Sequence, residues 1–89
     1  MEHAQQTFKL SVPSDTGNLA MIRDFVVVSA RRSRIDEPAL ERLKLAVDEA
    51  CANVIEHAYN NDSTRELTVH VWFDETQIGV DVIDSGTPF

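Results

Sequence analysis

AVDEACANVIEHAY, residues 46–59, is the stretch that decides how this chain is organised. Its apolar residues recur at the three- and four-residue spacing of an amphipathic helix. Three polar side chains, Glu49, Asn53 and His57, recur every fourth residue along the margin of that apolar face. A purely solvated helix face more often uses Lys, Glu or Gln, because Asn and His form helices less readily. The pattern therefore predicts a helix with one functional edge, and an ordinary solvated edge is the alternative.

The helix that contains this stretch is predicted to run from about residue 37 to about residue 59. Asp36 offers an N-cap, Pro38 fits the first turn, and the turn formers NNDST (residues 60–64) end the helix. The predicted buried stripe consists of Leu40, Leu43, Val47, Ala50, Val54 and Ala58. Five polar residues fall within a sector of about 60° on the helix, roughly 120° from that stripe. These five residues are Arg42, Glu49, Asn53, Glu56 and Asn60. His57 lies between this polar sector and the stripe.

The rest of the chain adds a strand and a helix before this helix, and two strands after it. QTFKLSVPS (residues 6–14) alternates in polarity as a half-buried strand does, and residues 16–32 carry the apolar spacing of a helix. RELTVHVWFD (residues 65–74) and TQIGVDVID (residues 76–84) alternate again. This order predicts an α+β fold, a two-layer sandwich with both helices on one face of a mixed, mainly antiparallel sheet.

Length, charge and cysteine content limit the classes of protein to which the chain can belong. Eighty-nine residues suffice for one small domain. The formal net charge of −7 disfavours nucleic-acid phosphates as partners, and no apolar run reaches membrane-spanning length. The single cysteine, Cys51, excludes an internal disulfide and suits a reducing compartment. We therefore expect a cytoplasmic domain with neither a nucleic-acid nor a membrane partner.

A second polar cluster, DSGTPF (residues 84–89), directly follows the last predicted strand. Asp84 at a strand end can accept a hydrogen bond from an exocyclic amine. Gly86 has no Cβ and therefore lets a flat ring approach the backbone. Because Asp, Ser, Gly and Pro are also the usual turn residues, a plain turn is the alternative.

Together the two clusters resemble the motifs of the GHKL ATPases, which share the Bergerat-type ATP-binding fold. The matching residues are Glu49-x-x-x-Asn53-x-x-x-His57-Ala58-Tyr59 and Asp84-x-Gly86-x-Pro88-Phe89. Within that family, the His-Ala-Tyr run is more similar to the serine kinases that act as bacterial anti-sigma factors than to sensor histidine kinases. The resemblance covers most of the chain. It implies that residues 1–89 form a single partial ATP-binding domain, since the family's fold continues with a lid, a second glycine-rich box, a further helix and the last strands.

The resemblance also implies a role for each polar residue of the two clusters. Asn53 resembles the ligand of Mg²⁺, and Glu49, one turn earlier, resembles the general base that orients the attacking hydroxyl. His57 resembles a residue that lines the ATP pocket. Asp84 resembles the carboxylate that reads adenine, and Gly86 lies beneath the ring. Phosphoryl transfer needs mainly positioning and charge neutralisation, so this short list can suffice.

The partners that the resemblance implies are a sigma factor and an anti-anti-sigma protein, the second being phosphorylated on serine. A homodimer is also implied, and Arg23 matches a position where the family's first helix contacts protein partners. Two other functions stay open: a non-catalytic protein-binding module of the same fold, and the ATP-binding domain of a sensor histidine kinase. Glu49 favours catalysis over the first alternative. The absence of a phosphoacceptor helix from these residues counts against the second.

Overall fold

The computed structural model describes residues 5–58, 60 and 62–84 of the chain. Its elements follow the predicted order of strand, helix, helix, strand, strand. They are β1 (Gln6–Pro13), a 3-10 turn (Thr16–Asn18), α1 (Leu19–Ala30), α2 (Glu37–Asn53), a π turn (Val54–Ala58), β2 (Glu66–Phe73) and β3 (Ile78–Ile83). The two helices pack on one face of the sheet, so the predicted two-layer α+β architecture is confirmed.

The central strand of the sheet is β2, which pairs with β1 on one side and β3 on the other. Both pairings are antiparallel, with Val12 opposite Leu67 and Val69 opposite Val82. Because side chains alternate along a strand, Leu67, Val69 and Val71 point together into the core. The sheet that was predicted as mixed and mainly antiparallel is antiparallel throughout these three strands.

Both helical segments begin where the sequence places an aspartate cap. The Asp36 carboxylate accepts a hydrogen bond of 2.8 Å from the backbone N–H of Ala39 at the start of α2. The Asp15 carboxylate accepts one of 2.7 Å from the N–H of Gly17. This second cap opens a 3-10 turn, so α1 itself begins later than predicted, at Leu19.

The core lies between the helices and the sheet, and it corrects the predicted stripe at the C-terminal end of α2. Its buried members are Val12, Ile22, Val26, Val47, Cys51, Ile55, Leu67, Val69 and Val71. The predicted stripe continued through Ala50 and Val54, but both are only half-buried. The buried line instead passes through Cys51 and Ile55, each of which has 0% of its surface exposed.

The buried line keeps the spacing of a helix face. Val47, Cys51 and Ile55 recur every fourth residue and are all buried, while Val54 packs half-buried against the same core. The predicted stripe was therefore one residue off at Ala50 and Val54, because spacings of three and of four residues both fit one helix face. The π turn Val54–Ala58 begins only after Asn53 and contains Ile55, the last buried residue of the segment.

The sheet face away from the helices is organised around Trp72, the single tryptophan of the chain. Its indole lies over Gly79 of the neighbouring strand, in space that a Cβ at that position would enter. Beside it, His70 Nδ1 lies 3.6 Å from Asp81 Oδ2 across the same strand pair. His70 and Trp72 therefore share the sheet face that points away from the helices.

Candidate functional site

The polar edge of α2 that the sequence predicted is exposed. Arg42, Glu49 and Asn53 are exposed on α2, and Glu56 and Asn60 are exposed beyond it. Asn53 is the last residue of α2 and follows Glu49 by one turn, so the two side chains are neighbours on one face. This edge therefore offers a carboxylate and an amide oxygen, side by side, to a ligand in solution.

The imidazole of His57 belongs to the π turn, which begins directly after Asn53. The side chain of His57 is exposed, although it was predicted close to the margin of the apolar stripe. The helical segment ends before Asn60, whose φ of 54° lies in the left-handed region that often follows a helix C-terminus. Turns of the π type inside helices are frequent at functional sites, which makes this end of the helix a candidate region.

The topology brings the C-terminal end of the helical segment and Asp84 to the same end of the sheet. Strand β3 ends at Ile83, which lies opposite Thr68 near the start of β2. The short segment after the π turn leads to that same start of β2, at Glu66. Helix α2 also packs against β3, and Asp84, the residue after that strand, is half-buried. Asp84 and the end of the helical segment, far apart in sequence, thus both lie towards the end of the sheet where β2 begins.

Gly86, the remaining residue of the predicted nucleotide site, lies outside the described residues. The described part of the site consists of Glu49, Asn53, His57 and Asp84. Helix α2 and the π turn position the first three, and the end of β3 positions the fourth. The individual roles of these side chains stay predictions from the resemblance.

The thiol of Cys51 lies behind this edge, fully buried in the core. Burial, with a smaller contribution from the nearby charge of Asp48, raises the pKa of the Cys51 thiol from 9.0 to about 11. The thiol is therefore neutral at physiological pH and acts as a small apolar side chain, not as a nucleophile.

In the part of the chain that the structure describes, no three His, Cys, Asp or Glu side chains come together to hold a metal ion. A cation bound there would need most of its ligands from elsewhere. Mg²⁺ typically behaves this way, because it takes one or two protein oxygens and completes its shell with phosphates and water. The exposed amide oxygen of Asn53 fits such a cation.

Arg23, predicted as a partner contact, makes an ion pair that the sequence analysis did not predict. Its Nη2 donates a hydrogen bond of 2.8 Å to Oδ1 of Asp48, which links α1 to α2. The pair lies in a shallow groove that is also lined by Glu41, Lys44 and Leu45. Sequence reasoning missed Asp48 because the two partners are 25 residues apart, a separation at which no local spacing signals a contact.

Comparison with known proteins agrees with the fold. Residues 12–89 match the model of the histidine kinase-like ATPase domain. The chain belongs to this family, which confirms the resemblance seen in the two sequence clusters. Among the described residues, no helix has the length and apolar character needed to cross a membrane.

Among the individual proteins that the chain resembles are serine-protein kinases. It is 33% identical over 87 residues to the serine-protein kinase RsbW of Halalkalibacterium halodurans, covering 98% of this chain and 52% of that protein. It is 30% identical over 89 residues to RsbW of Bacillus subtilis, covering all of this chain and 56% of that protein. The chain thus spans about half the length of the curated relatives it matches.

Proposed function

We propose that this chain is part of a serine-protein kinase that uses Mg-ATP, and that residues 1–89 belong to one ATP-binding domain. The observation that carries the proposal is the exposed Glu49–Asn53 edge, which ends at the same end of the sheet as Asp84. Two findings support it: the chain belongs to the histidine kinase-like ATPase family, and its relatives are named serine-protein kinases.

In this proposal Asn53 supplies a neutral oxygen to Mg²⁺. When bound, Mg²⁺ neutralises phosphate charge and orients the transferred group. A neutral amide suits this position because the phosphates already carry the negative charge, and the net charge of the chain is −7. The exposure of Asn53 at the end of α2 leaves its amide accessible to such a ligand.

Glu49 is proposed as the general base. It lies one helical turn before Asn53, close to the metal-binding oxygen without having to be a ligand itself. Its carboxylate would accept the proton of the attacking serine hydroxyl as that oxygen approaches the phosphoryl group. Exposure of Glu49 is consistent with this role, since the hydroxyl belongs to a second protein.

The nucleotide base is proposed to bind at the sheet end. The carboxylate of Asp84 would accept a hydrogen bond from the exocyclic amine of adenine, and Gly86 would let the ring approach the backbone. His57, exposed in the π turn, would line the pocket between the base and Asn53.

The proposed partners are a sigma factor, which the protein binds, and an anti-anti-sigma protein, which it phosphorylates on serine. We also propose that the protein forms a homodimer in the cytoplasm and has neither a nucleic-acid nor a membrane partner.

Arg23, 42% exposed in its side chain, is proposed to contact the protein partners. Replacing it in Arg23→Glu should weaken at least one of the two complexes. Undiminished binding of both would exclude this surface.

Calorimetric titration of Asn53→Ala with nucleotide tests the metal ligand. The substitution should weaken binding of Mg-ATP far more than binding of ATP in the presence of a chelator, because only the first involves the amide oxygen. The chelated titration serves as the internal control. Equal losses under both conditions would remove Asn53 as the metal ligand.

A kinase assay of Glu49→Gln tests the chemistry and separates the alternatives. Phosphoryl transfer to the anti-anti-sigma protein should fall by about 10²- to 10⁴-fold with nucleotide binding unchanged. Glu56→Gln, which alters another exposed acid further along the same helical segment, is the matched control. Acid-stable phosphoprotein identifies a serine product, whereas acid-labile label would favour a histidine kinase. Wild-type protein that binds its partner yet transfers no phosphate would indicate a non-catalytic binding module.

A further inference from the structure

The groove between α1 and α2 contains two ion pairs of different kinds. Arg23 and Asp48 join the two helices at 2.8 Å, with side chains 42% and 37% exposed. Lys44 and Glu41 pair within α2 at 3.1 Å. Leu45 lines the same groove with 68% of its surface exposed, which makes it one of the exposed large apolar side chains of the described residues. Of these two pairs, only Arg23–Asp48 joins side chains from different helices.

We infer that Asp48 is a positioning residue for Arg23 in the recognition of protein partners. This inference rests on the proposed function, in which Arg23 contacts those partners. A guanidinium carries five N–H donors, and the hydrogen bond to Asp48 joins one Nη atom to one carboxylate oxygen. The group can therefore hold Asp48 and a carboxylate or carbonyl group of a bound protein at the same time. Leu45, beside it, offers an apolar contact to the same partner.

Conformational entropy explains why such a second residue matters. A free arginine on a helix surface samples many rotamers, and its partner must order it on binding. The contact with Asp48 orders the guanidinium beforehand, on the surface where the partner arrives. A half-exposed ion pair adds little to the stability of the fold itself. Loss of Asp48 should consequently affect partner binding much more than folding.

Asp48 also lies next to the second surface of α2, the edge that carries Glu49 and Asn53. It is the residue before Glu49, and successive helical residues point about 100° apart. One side of α2 thus carries the Arg23 contact and the adjacent edge carries the proposed catalytic pair. A partner held at Arg23 is held against the helix that presents Glu49.

The test is a double-mutant cycle on Arg23 and Asp48, measured as affinity for the sigma factor and the anti-anti-sigma protein of the same organism. Asp48→Asn should weaken at least one complex by roughly 2- to 10-fold, the cost of immobilising one side chain. Asp48→Glu should restore part of the affinity. Adding Asp48→Asn to Arg23→Ala should cause no further loss. Glu41→Gln, which removes the other acid of the groove, is the control and should leave affinity unchanged.

Three results would overturn the inference. The first is normal partner binding by Asp48→Asn together with weak binding by Arg23→Ala, which would leave the proposed surface intact and remove only the role of Asp48. The second is additive losses in the double variant, since these would show independent action. The third is an equal loss in Glu41→Gln, which would reveal a general charge effect. Thermal unfolding of each variant distinguishes these three results from misfolding. If Arg23→Ala bound both partners as tightly as the wild-type protein does, the proposed surface itself would be rejected.

Discussion

Truncation of Ile55 tests which residues form the buried line of the second helical segment. Ile55 is fully buried among the residues of the main core, whereas its neighbour Val54 is only half-buried. Ile55→Ala removes every side-chain carbon beyond Cβ. At about 0.8 kcal/mol per buried methylene, the lost transfer free energy is about 2 kcal/mol. The cavity left behind brings the expected loss of unfolding free energy to about 2–5 kcal/mol.

Val54→Ala is the matched control, because it shortens the preceding residue of the same turn. Its partial burial predicts a loss of about 1 kcal/mol. Urea unfolding followed by the fluorescence of Trp72, the single tryptophan, measures both variants against the wild-type protein. The buried line through Val47, Cys51 and Ile55 requires the larger loss at Ile55. A Val54→Ala loss equal to or larger than that of Ile55→Ala would therefore refute this line and favour the predicted stripe through Val54.

Three further predictions follow from single contacts. Cys51 should resist a thiol reagent at pH 8 until urea unfolds the protein. Its folded pKa of about 11 exceeds the unfolded value of 9.0, so the unfolding free energy should fall by about 1.4 kcal/mol per pH unit as the pH rises from the unfolded to the folded pKa. The variant Cys51→Ala should lack this fall. Gly79→Ala should displace the Trp72 indole, which a red-shifted emission and a loss of about 1–3 kcal/mol would report, whereas unchanged emission would contradict the packing. Asp36→Ala should cost about 1 kcal/mol by removing the N-cap bond to Ala39, and Asp36→Asn, which retains an acceptor, should cost much less in the same urea titration.

The sequence alone determined the element types, because each depends on neighbours a few residues apart. Alternation at Leu67, Val69 and Val71 predicted a strand with one buried face, and the structure buries all three. Asp36 predicted the start of α2, and its carboxylate caps that helix. The exposed edge with Glu49 was likewise readable, since spacing of three and four residues defines a helix face.

Only the tertiary structure decided features that join distant parts of the chain or depart from regular geometry. The burial of Ile55 in preference to Val54 was decided by packing, since spacings of three and of four residues both fit one helix face. The Arg23–Asp48 pair forms because α1 and α2 pack side by side, which no local spacing encodes. The position of Asp84 at the end of the sheet where β2 begins follows from the antiparallel register of β2 and β3. Local periodicity reports one element at a time, whereas these contacts depend on how the elements are arranged around a shared core.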